Sequence, residues 1–112
     1  LIEAVDRGVD LFDCVLPTRN ARNAKVFVRE GALNLRNAKF ARDRAPIEEG
    51  CDCPCCADGF SRGYLHHLFK QNEMLGPILA SYHNLRYLLR LCEEMREAIA
   101  AGRWEQLRDR LR

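Results

Sequence analysis

Apolar residues recur along this chain with more than one period, and the changes of period mark its elements. Residues 11–16, LFDCVL, are almost continuously apolar. That predicts a short strand buried on both faces, as in a parallel sheet, stopped by Pro17. Residues 1–7 read as the last turns of a helix, with Gly8 in the position that ends it. Helix, glycine and buried strand in that order are α/β grammar. The stretch AKVFVREGALNLRNAKF then predicts a hairpin. Val26, Phe27 and Val28 form one strand, Arg29 to Gly31 the turn, and Leu33 to Leu35 the return. Residues 43–59 lack periodicity and hold Pro46, Gly50, Pro54 and Gly59, which predicts loop. From Ser61, a suitable N-cap, the pattern becomes helical through Tyr64, Leu65, Leu68 and Phe69. Gly76-Pro77 interrupts it, with Pro77 placed to open a second helix. Ile78, Tyr82, Leu85, Leu89, Cys92 and Ile99 recur at spacings of three, four or seven, one face of a long helix that Gly102 ends. RWEQLRDRLR follows as a short amphipathic tail.

Composition narrows the class. A chain of 112 residues, 47% hydrophobic and 30% charged, suits one small globular domain. No apolar run nears the ~20 residues needed to span a bilayer, so no membrane partner is expected. LIEAVDRGVD has no basic flank followed by an apolar stretch, so a cytoplasmic protein is expected. The chain opens without Met inside a helix-like stretch, which predicts a fragment of a longer protein. Charge is uneven. Residues 1–15 hold one Arg against four acids, whereas residues 16–44 hold eight Lys or Arg against two. A basic block of this kind suits a phosphate backbone, or is simply a solvated loop.

Four of the six cysteines fall in CDCPCC, residues 51–56. A disulfide framework spreads its cysteines and belongs to secreted chains. Thiols this dense favour one soft metal ion, with a redox or free-thiol cluster as the alternative. Zn2+ takes four nitrogen or sulfur ligands in a tetrahedron. Cys51, Cys53 and Cys56 offer three corners, Cys55 is a competing thiol, and a distant helix must supply the fourth. Among the histidines, His66 and His67 are adjacent and point to different faces, while His83 lies one position off the apolar stripe. Such a site is closed and therefore structural. Cys14, in the predicted strand, and Cys92, on the apolar helix face, are expected to be small core residues.

Three segments together resemble the C-terminal third of tRNA-guanine transglycosylases, also called queuine tRNA-ribosyltransferases: FDCVLPTRNAR at 12–22, CDCPCC at 51–56, and SRGYLHH at 61–67 followed by HN at 83–84. The resemblance runs from about Val9 to Trp104, and HHL, NEMLG and HNLRY lean towards bacterial members. It implies the α/β C-terminal piece of a (β/α)8 barrel, with an inserted β-hairpin and zinc-binding subdomain. Residues 1–17 would be the end of a barrel helix and the last barrel strand. Residues 18–60 would be the basic hairpin and zinc loop, and 61–112 the C-terminal helices. It implies exchange of guanine at the anticodon wobble position for a 7-deazaguanine base, preQ1 in bacteria, with tRNA as partner. Asp13 matches the nucleophile, Arg19 and Arg22 match arginines that contact anticodon-loop bases, and Cys51, Cys53, Cys56 and His83 match the ligands of one Zn2+. Lys25, Arg36, Lys39 and Arg42 are candidate phosphate contacts. The family also forms homodimers, which the apolar face of 78–99 suits. Gly63 stands where the family usually has alanine, at a helix-propensity cost of roughly 1 kcal/mol. The competing reading is a non-catalytic, zinc-stabilised tRNA-binding or dimerisation module, which would have no need of Asp13.

Overall fold

Helices dominate the computed structural model, which describes all residues 1–112. In chain order they are α1 (Ile2–Asp6), α2 (Leu16–Arg22), α3 (Pro54–Ala57), α4 (Arg62–Lys70), α5 (Leu75–Ala100) and α6 (Trp104–Leu111). A two-stranded antiparallel sheet, β1 (Lys25–Val28) and β2 (Gly31–Asn34), lies between α2 and a 3-10 turn at Ala38–Phe40. Its register pairs Lys25 with Asn34 and Val28 with Gly31, close to the expected hairpin. No helix is long and apolar enough to cross a membrane.

Backbone caps explain most helix ends. After α1, α3, α4 and α5 the chain turns through a left-handed residue: Gly8, Gly59, Asn72 and Gly102 respectively. In each case the next residue's N–H bonds a carbonyl five residues back, as in Val9 to Ala4, Phe60 to Cys55, Glu73 to Leu68 and Arg103 to Ala98. These are Schellman closures, in which a residue at positive φ lets the chain reverse onto the orphan carbonyls of the last turn. At the other end of α4, the Ser61 hydroxyl accepts the Tyr64 N–H at 3.1 Å, the expected N-cap.

The chain forms two compact units, Val15–Leu88 and Leu1–Cys14 with Leu89–Arg112, and α5 contributes to both. The larger unit is built on a core that includes Val26, Leu35, Phe40, Ile47, Leu65 and Leu79. The smaller buries Leu91, Met95, Ala98 and Leu107. In it Asp6 accepts hydrogen bonds from the Trp104 indole (2.9 Å) and from Arg108 (3.0 Å), joining α1 to α6.

Two expectations do not hold in this structure: the strand at 11–16 with its stop at Pro17, and the core placement of Cys14 and Cys92. Residues 11–15 form no strand, and Leu11 is 90% exposed. A two-face-buried strand needs neighbours on both edges, and the hairpin is the chain's only sheet. Pro17 does not stop a strand; it sits in the first turn of α2, where a missing N–H costs nothing. Cys14 is consequently exposed, and Cys92 is half-buried rather than core. On α5 the stripe of Ile78, Tyr82, Leu85, Leu89 and Ile99 is exposed, while the adjoining face buries Leu79, Ala80, His83, Asn84, Leu91 and Met95. Periodicity identified the apolar face of 78–99, which is exposed; the face turned inward carries the polar pair His83-Asn84. Gly63, finally, is a packing residue. A Cβ there would lie 3.0, 3.1 and 3.3 Å from the carbonyl oxygens of Asp43, Ala41 and Phe40, so the close approach of that loop offsets the loss of propensity.

Candidate metal centre

The cysteine loop is held by side chains before any ion is considered. Arg62 donates from Nε to the Pro46 carbonyl (3.0 Å) and from its fork to the Ile47 carbonyl (2.9 Å), and it pairs with Asp43 at 3.3 Å. Glu48 accepts the Arg29 N–H at 2.6 Å, tying the loop to the hairpin turn. Asp52, between the first two cysteines, makes a two-pronged ion pair with Arg86 of α5 at 2.8 and 3.1 Å. A planar guanidinium suits that geometry. None of these partners was identified from sequence, although Arg86 lies three residues, one helical turn, after His83.

The one-turn helix α3 then sets the sulfurs. Cys53 is its N-cap, and its Sγ accepts the Cys56 N–H at 3.3 Å; the Cys51 Sγ accepts the Cys53 N–H at 3.5 Å. Pro54 occupies the first turn, where it is pre-organised for helix. Backbone N–H groups aimed at sulfur favour the thiolate, the form that binds metal.

From α5, His83 brings Nδ1 to 3.6 Å from the Cys51 Sγ, 3.6 Å from that of Cys53 and 3.5 Å from that of Cys56. All four ligand atoms lie within 4.8 Å of one another. Tetrahedral coordination with Zn–S near ~2.3 Å and Zn–N near ~2.1 Å separates sulfur from nitrogen by about 3.6 Å. The donor set and its spacing fit one four-coordinate soft ion. His83 is fully buried, and its Nε2 lies 2.6 Å from the Phe27 carbonyl. A carbonyl only accepts, so Nε2 carries the proton and the Nδ1 lone pair faces the sulfurs. That outer bond fixes the tautomer a metal ligand needs.

Thiol acidity agrees with this arrangement. Cys53 is drawn down to about 4, chiefly by the hydrogen bond from the Cys56 thiol and further by the Cys56 backbone N–H. Cys56 is pushed up, first because its thiol donates a hydrogen bond to the Cys53 sulfur and then by burial. Burial also raises Cys51. One negative charge is thus favoured among the three sulfurs, and a cation is what allows all three to ionise together. Cys55 is different. It is buried in the apolar core, burial pushes its thiol up to about 12, and it is not one of the four converging groups. That removes it as a competitor for Cys56.

The other candidates divide by unit. Asp13 is exposed, in the smaller unit. Arg19 and Arg22 are exposed on α2 of the larger unit, three residues apart and so on one side of the helix. Lys25, Arg36, Lys39 and Arg42 are exposed there too, Lys39 lying 5.2 Å over the Phe40 ring. His66 donates from Nδ1 to the Leu35 carbonyl at 2.8 Å and so serves packing.

Fold and site together define a small helical subdomain, carrying one hairpin, organised around a Cys3His metal centre. The sequence model of the family described as queuine tRNA-ribosyltransferase matches residues 1–112. The chain belongs to that family. It is 58% identical over 112 residues to a queuine tRNA-ribosyltransferase of Methylibium petroleiphilum, covering 100% of this chain and 30% of the relative. The corresponding figures for the Symbiobacterium thermophilum protein of the same name are 59% over 108 residues, 96% and 27%. For that of Herpetosiphon aurantiacus they are 56% over 109 residues, 97% and 28%. The chain therefore spans under a third of the length of these curated relatives.

Proposed function

We propose that this chain is the nucleophile-bearing, C-terminal part of a tRNA-guanine transglycosylase that exchanges guanine at the anticodon wobble position for preQ1. The match of the whole chain to queuine tRNA-ribosyltransferases carries this reading. The converging Cys3His group supports it, with Zn2+ as the ion. Four protein ligands leave no open position, so the ion's role is to fasten the loop to α5.

In this reading Asp13 attacks the ribose C1′ of the target nucleotide. The bond from C1′ to the guanine nitrogen breaks, a bond from C1′ to the carboxylate oxygen forms, and guanine leaves with a proton taken from the site. The incoming base then attacks C1′ from the face guanine left, releasing the carboxylate and delivering its own ring proton to the site. Two inversions give net retention, as in retaining glycosidases. Arg19 and Arg22 hold the anticodon loop by stacking on and hydrogen-bonding to splayed bases. Residues 11–15, unpaired in the chain alone, become the eighth strand of a (β/α)8 barrel once neighbours lie on both edges, and those neighbours lie in the length this chain does not span. Asp13 then stands at a strand's C-terminal end, where barrel enzymes place catalytic groups. The exposed stripe on α5 suits burial against the rest of the enzyme or a second subunit.

The test is covalent capture. Asp13→Ala in the intact enzyme should abolish the denaturant-resistant adduct with tRNA while leaving tRNA binding within about threefold. An adduct of normal yield in that variant would assign the nucleophile elsewhere.

A further inference from the structure

We propose that Asn84 is a positioning residue for helix α2, and that through it the metal-bearing turn of α5 sets the aim of Arg19 and Arg22. The functional half of this statement rests on the reading of those arginines as RNA contacts.

β1 is paired on one edge only. The bond from the Leu35 N–H to the Ala24 carbonyl, 2.8 Å, extends the ladder by one step. By alternation, Ala24, Val26 and Val28 turn their backbone groups towards β2, and Lys25 and Phe27 turn theirs outward. Three of those outward groups are part-buried and take partners. Two consecutive side chains of α5 supply them. His83 donates to the Phe27 carbonyl, and the Asn84 carboxamide accepts the Phe27 N–H at 3.0 Å and donates to the Lys25 carbonyl at 3.0 Å. The amide thus imitates one peptide unit of a neighbouring strand.

Its second N–H goes further. It donates to the Pro17 carbonyl at 2.9 Å, in the first turn of α2. Between α2 and β1 stand only Asn23 and Ala24, the latter in the left-handed conformation at φ 64°. Asn84 therefore spans this corner, gripping the start of α2 on one side and β1 on the other. It is fully buried, and its orientation is fixed, because a flipped amide would set its oxygen against two carbonyl oxygens. The adjacent residue is the metal ligand. Displacement of His83 is displacement of the peptide unit that carries Asn84, and α2 is what Asn84 holds.

A double-mutant cycle in the metal-loaded protein tests this. Asn84→Asp keeps size and the acceptor but replaces the donating NH2, so both donations are lost. Three results are expected: about one ion per chain retained, faster amide exchange over Arg19–Arg22, and about tenfold weaker binding of a synthetic anticodon stem-loop RNA. Arg19→Ala/Arg22→Ala should cost less in the Asn84→Asp background than alone. Unchanged α2 exchange overturns the proposal, as does a loss of affinity strictly additive with the arginine changes, which would mark a general stability effect. If Arg19→Ala/Arg22→Ala leaves RNA affinity untouched, the reading of those arginines fails instead, and α2 exchange alone decides the positioning role. Should Asn84→Asp not fold, Asn84→Ser, neutral and too short to reach Pro17, is measured in the same way.

Discussion

Cys53 serves three functions with one sulfur: N-cap of α3, member of the core and one of the four converging ligands. Serine is a good N-cap but a poor soft-metal ligand. Cys53→Ser should therefore keep α3 capped and lose the ion, its affinity falling by more than about 100-fold in chelator competition. Cys55→Ala should keep about one ion per chain, with stability lowered through packing alone. Stoichiometric metal in Cys53→Ser would count against the assigned centre. The spacing of Cys51, Cys53 and Cys56 made this cluster legible in the sequence. The choice of Cys56 over Cys55 was not, because it depends on which side of a single helical turn faces the imidazole. Asn84 was equally hidden: a buried carboxamide has no periodic signature, and its partners lie 57 to 67 residues away.

At the scale of elements, α1 and α6 are joined by polar contacts that depend on one carboxylate. Asp6 is held below its usual range by the Trp104 indole hydrogen bond first, then by Arg108 and, through charge alone, Arg112. A depressed acid contributes stability that is full above its unfolded pKa and is lost as pH falls through the folded value. Emission from Trp104, the single tryptophan, should stay constant from neutrality to about pH 5 and change below about pH 4. Asp6→Asn, which cannot titrate, should remove that acid limb; an identical limb in the variant would assign the transition to another group. Helix ends were read well from sequence because caps are local: Gly8, Ser61 and Gly102 act within a turn of themselves. The state of segment 11–16 and the buried side of α5 are not local in this sense. Both depend on what packs against them, and strand identity above all is a property of neighbours.

For the molecule as a whole, length sets the limit. A (β/α)8 barrel needs about 250 residues, and this chain has 112. The isolated chain should bind metal yet show no exchange of labelled guanine into tRNA above background. Measurable incorporation would mean that the reaction needs no groups beyond these residues. Removing the ion with a chelator should loosen residues 43–60 and the start of α5 together, because the loop has little apolar surface of its own to hold it.

The ligands are also unevenly spread along the chain: three sulfurs within six residues, and an imidazole 27 residues after the last of them. Synthesis runs from the N-terminus, so the thiols leave the ribosome well before the ring that completes the tetrahedron. A nascent chain can hold an ion loosely by sulfur alone, but it closes the centre only after the early turns of α5 have emerged. Closure of the centre and the docking of that helix are then a single late event, and a cell starved of the metal should meet the defect as a stalled folding intermediate rather than as a finished protein with a missing ion.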